Sequence, residues 1–446
     1  MRWLEFFLIK IERLVQKKDP VRVLSIGYLS YMVIGFFALC LPIAVTTSVP
    51  ILDRFFIAVS AVSTTGLATI DPGSSFSFFG ELVILFLIQL GGIGYMTFGS
   101  FIILQTGHRI SAAREKMTRA AFPLPEALDV KVFLRSVILF TIAVEFLGAV
   151  ALSLIFWSEG IENPVWSGVF HSISAFCTAG FSLNSNSFES MSENFGLNFV
   201  ISGLSILGAV GFIVMLDLWR RTRRQTDRLL FTSKVILGVT SISLVVGTVI
   251  LFFAEPSIQE ATVFNRIQLA FFQAMTAATT VGFNTVPIGK LTAAVIMLMY
   301  FLMLFGASPS GTGGGLKSTT LTALIALVRS TLKRRKRIVF FNNEVPLKRI
   351  QYAAASISFC MFIIGLAVFI LTLTESAPTD QIVFEAISAL GTVGLSMGIT
   401  GDLTSVGKWV IIFLMATGRI GVLSLGLSLS TLDQSALENT KEDLIL

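Results

Sequence analysis

The chain has few charged residues for its length. Asp, Glu, Lys and Arg make up 13% of its 446 residues, against about a quarter in a soluble globular domain. Hydrophobic residues make up 54%, forty of them Phe, and the mean hydropathy is +0.82. A soluble fold needs a charged surface that this composition does not supply. The chain is therefore predicted to be an integral membrane protein.

Histidine and cysteine are also scarce, with two and three copies. Cys40, Cys177 and Cys360 lie in apolar segments without metal-ligand or disulfide spacing, which indicates packing residues. His108 and His171 do not combine with a nucleophile into a catalytic set, and His171 is expected to pack or to form hydrogen bonds. The chain is predicted not to be an enzyme and to hold no covalent cofactor.

Eight apolar stretches are long enough to cross a bilayer, which takes about 20 helical residues. They are residues 23–46, 82–107, 136–157, 197–216, 235–254, 291–307 continuing to 328, 350–374 and 408–431. The stretches form four pairs. Between the members of each pair lies a moderately apolar segment that is too short and too interrupted to span the membrane alone.

These four intervening segments share one pattern that ends in glycine. Each has Phe ten residues before the glycine, Ser or Thr six before, Ala five before and Thr two before. The glycines are 114, 102 and 112 residues apart, and they are Gly66, Gly180, Gly282 and Gly394. The chain is thus predicted to contain four repeats, each a span, a pore loop and a second span.

The predicted boundaries follow from the spans and from the polar segments between them. The repeats cover residues 23–107, 132–219, 233–328 and 350–431. Residues 1–22 are predicted to be an amphipathic segment on the inner membrane surface, or alternatively an extension of the first span. Residues 432–446 form an acidic tail.

Basic residues predict the orientation in the membrane. Of the 33 Lys and Arg residues, 26 lie in four clusters, at residues 2–22, 109–135, 220–234 and 329–349. Basic loops next to spans stay cytoplasmic. We therefore expect a multi-pass protein of the cytoplasmic membrane with both termini inside and all four glycine segments entering from outside. Because these clusters explain the net charge of +6 by membrane topology, no nucleic-acid partner is predicted. The clusters are expected to attract anionic membrane lipid.

The glycine segments are predicted to form a cation filter. Irregular backbone lies at membrane depth only where protein buries it or where it lines water, so the four segments are expected to meet at one axis. The predicted fold is all-α, with eight transmembrane helices and four re-entrant pore helices in a pseudo-fourfold arrangement around one pore. The segments carry no ionic side chain and present carbonyl oxygens instead, as potassium-channel filters do. The filter candidates are Thr64, Thr65, Gly66, Thr178, Ala179, Gly180, Thr280, Val281, Gly282, Thr392, Val393 and Gly394.

The sixth span contains a glycine-rich interruption between Gly306 and Lys317. Five glycines and Pro309 cannot remain helical, and no other predicted span carries such a run. Its position on the cytoplasmic side of the filter predicts a flexible gate, and a simple helix kink is the alternative. Leu316 between the glycines and the lysine disfavours a phosphate-binding loop. The gate candidates are Gly311, Thr312, Gly313, Gly314, Gly315 and Lys317, whose ammonium is expected to pair with a carboxylate or with carbonyls.

Arg419 in the last span is the other departure from an apolar helix. A charge at bilayer depth costs several kcal/mol and by default marks an ion path or a buried pair. Arg419 is predicted to be a barrier to cations below the filter, and a structural salt bridge with Glu145 or Asp217 is the alternative.

The sequence resembles the Trk/Ktr/HKT superfamily of potassium transporters, and most closely the Ktr-type membrane subunit. The resemblance covers nearly the whole chain. It rests on the four glycine patterns, on SGTGGGLK beginning at Ser310, and on GRIG beginning at Gly418. It assigns the filter, the gate and the pore arginine to the residues named above, with potassium at the filter carbonyls.

The resemblance also implies a physiological setting. It implies potassium uptake, coupled to or stimulated by sodium, through a homodimer with one pore in each subunit. It further implies a cytoplasmic ring of nucleotide-binding RCK-type subunits as regulatory partner. In related plant proteins a serine in place of the first filter glycine accompanies sodium preference, so Gly66 favours potassium.

A second hypothesis from the residues is a secondary cation transporter with alternating access and a binding site at the membrane midplane. Broken helices suit such a mechanism. The parallel repeats, with every glycine pattern on the outer side, favour the channel-like pore instead.

Overall fold

The computed structural model of this chain describes residues 20–94, 115 and 129–421, apart from residues 225, 227 and 342. The described part is mostly helical. Most of the predicted amphipathic segment, the second half of the first repeat's second span and the acidic tail lie outside the described residues.

The described α-helices are numbered in chain order. They are α1 (Pro20–Leu39), α2 (Ile51–Ser63), α3 (Pro72–Ser75), α4 (Phe78–Ile93), α5 (Val130–Ser158), α6 (Pro164–Phe176), α7 (Phe195–Val210), α8 (Phe212–Thr222), α9 (Phe231–Ala254), α10 (Val263–Thr279), α11 (Ala293–Phe305), α12 (Ser318–Leu332), α13 (Leu347–Thr374), α14 (Thr379–Gly391) and α15 (Ser405–Ile420). A short hairpin of β1 (Val339–Phe340) and β2 (Asn343–Glu344) joins α12 to α13, with Val339 opposite Glu344. Five 3-10 turns complete the described elements, at Pro42–Ala44, Glu189–Met191, Pro256–Ile258, Ile288–Lys290 and Thr400–Asp402.

Three helices within the described residues are long and apolar enough to cross a membrane by themselves, namely α5, α9 and α13. They fall on three of the predicted first spans. The fourth first span, α1, and the second-span helices α4 and α11 are shorter apolar helices. The exposed sides of the long helices carry large apolar residues, such as Leu147 on α5 and Phe362 on α13, as expected where lipid is the solvent.

The break in a second span is not confined to the third repeat. In the second repeat α7 and α8 meet at an angle of 96° at Gly211, whose φ is +94°. In the first and last repeats α4 and α15 end at Gly94 and Gly421, with φ of +83° and +98°. The sequence predicted that the helix continues through these three glycines, because a single glycine in an apolar run lowers helix stability by only about 1 kcal/mol. In each case the glycine permits the left-handed φ at which the helix ends.

The first and second spans of each repeat are tied together where the second span begins. The residue directly before each second-span helix forms a hydrogen bond with the segment that follows the first span. Thr404 donates to Glu375 through its backbone N–H at 2.9 Å and its hydroxyl at 2.6 Å, and Thr292 donates to Glu255 in the same way at 3.0 and 3.1 Å. Asn194 donates to Glu159 at 2.7 Å, and Ser77 donates to the Ile43 carbonyl at 2.5 Å.

The four helices predicted to be pore helices, α2, α6, α10 and α14, form the centre of the molecule. The Phe that opens each glycine pattern is fully buried in all four. Polar contacts then join one repeat to the next. Trp166 donates to Glu81 at 2.5 Å, Tyr300 donates to the Asp380 carbonyl at 2.9 Å, and Lys408 of α15 pairs with Asp53 of α2 at 2.6 Å. The last of these contacts joins the fourth repeat back to the first.

Candidate functional site

Each pore helix ends in the same strained turn. The threonine two residues before the glycine takes a left-handed conformation, with φ between +50° and +58°. The glycine follows with φ between +65° and +93°. A threonine at positive φ is uncommon, so its presence four times shows that the surrounding structure fixes the turn. These residues are Thr64 and Gly66, Thr178 and Gly180, Thr280 and Gly282, and Thr392 and Gly394.

The four turns contact one another in a closed order. A Cβ built on Gly66 would lie 2.3 Å from the Ala179 carbonyl oxygen of the second repeat. One on Gly180 would lie 2.2 Å from Val281 O, one on Gly282 2.1 Å from Val393 O, and one on Gly394 2.1 Å from Thr65 O. Any side chain at these positions would displace the neighbouring backbone. All four positions therefore require glycine for close approach as well as for φ.

The carbonyl oxygens of the turns are available to a ligand. The backbone N–H before each glycine donates to the carbonyl six residues before the glycine, for example Thr65 to Ser60 at 2.9 Å and Val393 to Ser388 at 2.9 Å. The glycine N–H donates to the side-chain oxygen of that same residue at 3.1 Å in repeats 1, 3 and 4. None of the hydrogen bonds found between described residues uses the carbonyl oxygens of the candidate filter residues. The N–H groups of the turns are thus bonded to the pore helix, whereas the carbonyl oxygens of the turns have no partner among the described residues.

The second repeat departs from this pattern. The Ser174 hydroxyl does not accept from Gly180 but donates to the Phe181 carbonyl at 2.8 Å. Gly180 also has the smallest φ of the four glycines, +65°. The second turn therefore differs from the other three in its hydrogen bonding and in its backbone φ.

In three repeats a polar side chain of the pore helix bonds to residues that follow the turn. It stands nine residues before the glycine, as His171, Gln273 and Glu385, with Ile57 in the first repeat. His171 Nε2 lies 3.0 Å from Ser182 Oγ, and Gln273 lies 3.2 Å from Thr285 Oγ1. Glu385 accepts from Ser396 at 2.8 Å and from the Thr400 hydroxyl. His171 is fully buried and hydrogen-bonded, in agreement with the role expected from sequence.

A polar cavity of about 360 Å³ adjoins the four turns. All four pattern glycines line it, as do Asp71 and Glu189. Glu189 is held by Asn284, which donates to it at 2.5 Å. The cavity is therefore a vestibule of negative character that leads to the ring.

The glycine-rich segment crosses the opposite side of the ring. Thr312 Oγ1 lies 3.0 Å from Thr178 Oγ1, and its carbonyl accepts from Thr64 at 3.3 Å. The Gly314 N–H donates to Thr392 Oγ1 at 2.8 Å. A Cβ on Gly313 would lie 2.3 Å from Thr280 Oγ1. The segment thus touches the threonine of every turn.

Lys317 and Arg419 both bond to carbonyl oxygens. Lys317 Nζ donates to Gly313 O at 2.7 Å and to Gly314 O at 3.3 Å, one of the two arrangements expected for it. Arg419 donates to Thr312 O, to the carbonyls of Gly91 and Gly92, and to Thr64 Oγ1 at 3.0 Å. Its guanidinium therefore joins the first turn, the glycine-rich segment and the end of α4.

The salt bridge considered as an alternative role for Arg419 is absent from the described residues. Glu145 instead accepts from Gln89 at 3.0 Å, and Asp217 accepts from the Leu230 N–H at 2.8 Å. Within the described part of the chain, Arg419 therefore places a positive charge beside the ring without a carboxylate at bonding distance.

A second set of four glycines was missed from the sequence. Gly91, Gly208, Gly306 and Gly418 lie in the second spans, and a Cβ on each would lie 1.9 to 2.2 Å from the carbonyl four residues before the filter glycine. Those carbonyls belong to Val62, Phe176, Ala278 and Leu390. The sequence does carry a glycine 24 to 28 residues after each glycine of the pattern, but the spacing varies and so forms no regular repeat.

These features define a helical, multi-pass membrane protein with four glycine turns gathered below a polar vestibule. The family model of TrkH, described as a cation transport protein, matches residues 33–440, and the chain belongs to this family. The predicted family is thereby confirmed. It is a family of transporters and not of enzymes.

Relatives match over almost the full length. Ktr system potassium uptake protein B of Bacillus subtilis (strain 168) is 35% identical over 426 residues, covering 93% of this chain and 94% of the relative. The protein of the same description from Vibrio alginolyticus is 33% identical over 435 residues, covering 96% and 95%. The crystal structure of the potassium transporter TrkH from Vibrio parahaemolyticus has a TM-score of 0.73 at 18% identity, covering 93% of this chain and 86% of that one. This last likeness concerns the fold.

Proposed function

We propose that the chain takes up potassium through a channel-like pore whose filter is the ring of four glycine turns. The observation that carries the proposal is the closed order of the four turns, with carbonyl oxygens that no described donor occupies. Rings of such oxygens replace the hydration shell of an alkali cation. The pore helices end at the ring, and their C-terminal ends, each equivalent to about half a negative charge, favour a cation there. The relatives described as potassium uptake proteins support potassium as the ion.

In this proposal the pore is pseudo-fourfold and lies on the axis of the ring. The channel-like mechanism is preferred over alternating access because the four turns meet in a single ring at the base of one vestibule. The basic segments mark the cytoplasmic side, and the vestibule faces outward.

The glycine-rich segment is the gate, and the contacts described above are those of its closed state. It lies across the ring and bonds to the threonines of the turns, so an ion leaving the filter would meet backbone. Arg419 holds the segment through Thr312 and places a positive charge on the ion path. Opening requires these contacts to be exchanged for water.

The assembly and the ion dependence follow the family resemblance. We propose a homodimer with one pore in each subunit, regulated by a cytoplasmic ring of nucleotide-binding RCK-type subunits, and stimulated by sodium. The relatives' names describe them as protein B of a system, which accords with a second component.

The test is ion uptake by cells that lack their own potassium uptake systems. Potassium, rubidium and sodium uptake are measured for the unmodified chain, for Gly282→Ser, and for Gly365→Ser as the matched control. Gly365 is in α13, and no described atom lies within 4 Å of a Cβ built on it, whereas a Cβ on Gly282 would lie 2.1 Å from Val393 O. We expect potassium and rubidium to be preferred over sodium, the preference to be lost in Gly282→Ser, and Gly365→Ser to behave as the unmodified chain.

Two results would contradict the proposal. Equal uptake of potassium and sodium by the unmodified chain would rule out the selective filter, and unchanged selectivity in Gly282→Ser would remove this glycine from it. The same uptake measured with and without external sodium tests the proposed stimulation.

A further inference from the structure

An apolar groove of about 550 Å³ lies between the beginning of α5 and the short helix α8, apart from the filter. Val132 and Leu139 of α5 line one side, and Phe212, Met215 and Trp219 of α8 line the other. Val132, Leu139 and Trp219 are 47%, 55% and 47% exposed. The groove therefore presents apolar surface to whatever surrounds the helices.

Two arginines lie at the groove. Arg135 of α5 is among its lining residues, and at the end of α8 the Arg223 guanidinium lies over the Trp219 ring at 4.9 Å. None of the described lining residues is acidic. Asp217, on the same short helix, is buried and bonds to the Leu230 N–H instead. An apolar groove accompanied by two cations matches a lipid whose chain is apolar and whose headgroup is anionic.

We propose that this groove binds one anionic phospholipid of the inner leaflet, with an acyl chain between α5 and α8 and the phosphate at Arg135 and Arg223. With the topology proposed above, α8 and the beginning of α5 lie at the cytoplasmic face, where anionic lipids attract juxtamembrane basic residues. Trp219 is the aromatic residue expected at that depth.

The groove is connected to the gate through α8. Phe212 lines the groove, and its backbone N–H donates to Ser310 O at 3.1 Å. The next N–H, of Ile213, donates to Ser310 Oγ at 3.3 Å. Ser310 has a left-handed φ of +62° and stands two residues before Thr312. Bound lipid fixes α8 and thereby the glycine-rich segment, and this part of the inference rests on the proposed function.

Lipid binding is tested by fluorescence quenching of the purified full chain. Phospholipids with brominated acyl chains quench a nearby tryptophan, and the difference between the unmodified chain and Trp219→Phe isolates the contribution of Trp219. We expect brominated phosphatidylglycerol to quench Trp219 at a lower mole fraction than brominated phosphatidylcholine. Arg135→Gln should raise the required fraction of phosphatidylglycerol about fivefold, the effect of one basic residue at the membrane surface. Arg329→Gln, at the end of α12, is the matched control and should change nothing.

The gate connection is tested by rubidium uptake into liposomes of increasing phosphatidylglycerol content. Uptake by the unmodified chain should depend on that content, and the dependence should weaken in Arg135→Gln and in Ser136→Leu, which fills the groove without changing its charge. Equal quenching by both lipids, or none, would overturn the lipid site and leave the groove to another part of this chain or to a second copy. Selective quenching with unaltered uptake in both variants would overturn the connection to the gate. If the unmodified chain transports no rubidium, the proposed function fails, while the quenching still decides the lipid site.

Discussion

At the scale of single residues, backbone contact sets the strictest requirements. Gly208 and Gly203 both lie in α7, five residues apart. A Cβ on Gly208 would lie 1.9 Å from Phe176 O, whereas no described atom lies within 4 Å of one on Gly203. We expect Gly208→Ala to lower the free energy of unfolding by about 1–3 kcal/mol through overpacking and to reduce uptake. Gly203→Ala should be neutral or should stabilise the helix by up to about 1 kcal/mol.

Thermal unfolding in detergent and uptake in cells measure both variants of α7. Equal behaviour of the two would mean that α7 moves away from the pore helix at little cost. The second set of glycines would then not hold the filter in place.

Arg419 allows a second prediction at this scale. Arg419→Gln removes the charge beside the ring and should raise resting rubidium uptake about tenfold, as a barrier lowered by about 1.4 kcal/mol would. Arg54→Gln is the control, because Arg54 also donates to backbone carbonyls, those of Val49 at 3.1 Å and Cys40 at 3.2 Å, but away from the ring. Unchanged uptake with a lower unfolding temperature in Arg419→Gln would assign Arg419 a structural role alone.

The sequence predicted more about the turns than about their partners. The glycine pattern repeats along the chain, and each turn depends on hydrogen bonds within six residues, so local chemistry was enough to find it. The partners of Arg419 are 107 and 328 residues away in the chain. Such contacts exist only once the helices have packed, and they leave no local pattern in the sequence.

At the scale of elements, the glycine-rich segment is held by a small number of hydrogen bonds. Thr312→Val removes the hydroxyl that contacts Thr178 and donates to Phe176 O at 3.2 Å. A net loss of about 1 kcal/mol from the closed state should raise resting uptake about fivefold. Thr322→Val is the control, because the Thr322 hydroxyl donates to Ser318 O at 2.9 Å near the start of its own helix, α12. Lower uptake in Thr312→Val than in the control would mean that this hydroxyl supports the conducting state.

Some of the helices could be predicted from the sequence, but three of the points where they end could not. The long first spans and the pore helices follow from hydropathy and from the repeated pattern. The helix ends at Gly94, Gly211 and Gly421 were missed, because each is one glycine in an apolar run. At Gly211 tertiary contacts stabilise the bend, since the next two amides bond to Ser310.

At the scale of the whole molecule, the ring of repeats is closed by an ion pair between the fourth repeat and the first. Lys408 and Asp53 lie 2.6 Å apart with side chains 16% and 5% exposed. Lys408→Met leaves a buried carboxylate without its partner and should destabilise the protein by about 3–5 kcal/mol. The double variant with Asp53→Asn should recover much of this loss.

The exposed pair of Arg337 and Glu344, at 3.2 Å with side chains 76% and 55% exposed, provides the comparison. Arg337→Gln should cost no more than about 1 kcal/mol. Thermal unfolding of Lys408→Met, of the double variant and of Arg337→Gln measures the contribution of each ion pair to stability. A small effect of Lys408→Met would show that the first and fourth repeats are joined by apolar packing and not by this pair.

The unequal second turn has a consequence for how such a protein evolves. In a homotetramer one codon change alters all four subunits at once, because symmetry repeats it. Here the four turns are encoded separately, and Ser174 already bonds differently from its three counterparts. In the proposed filter, a mutation therefore changes one quarter of the coordination shell. The ion preference of that filter can then change one turn at a time, so natural selection can adjust it in small inherited steps.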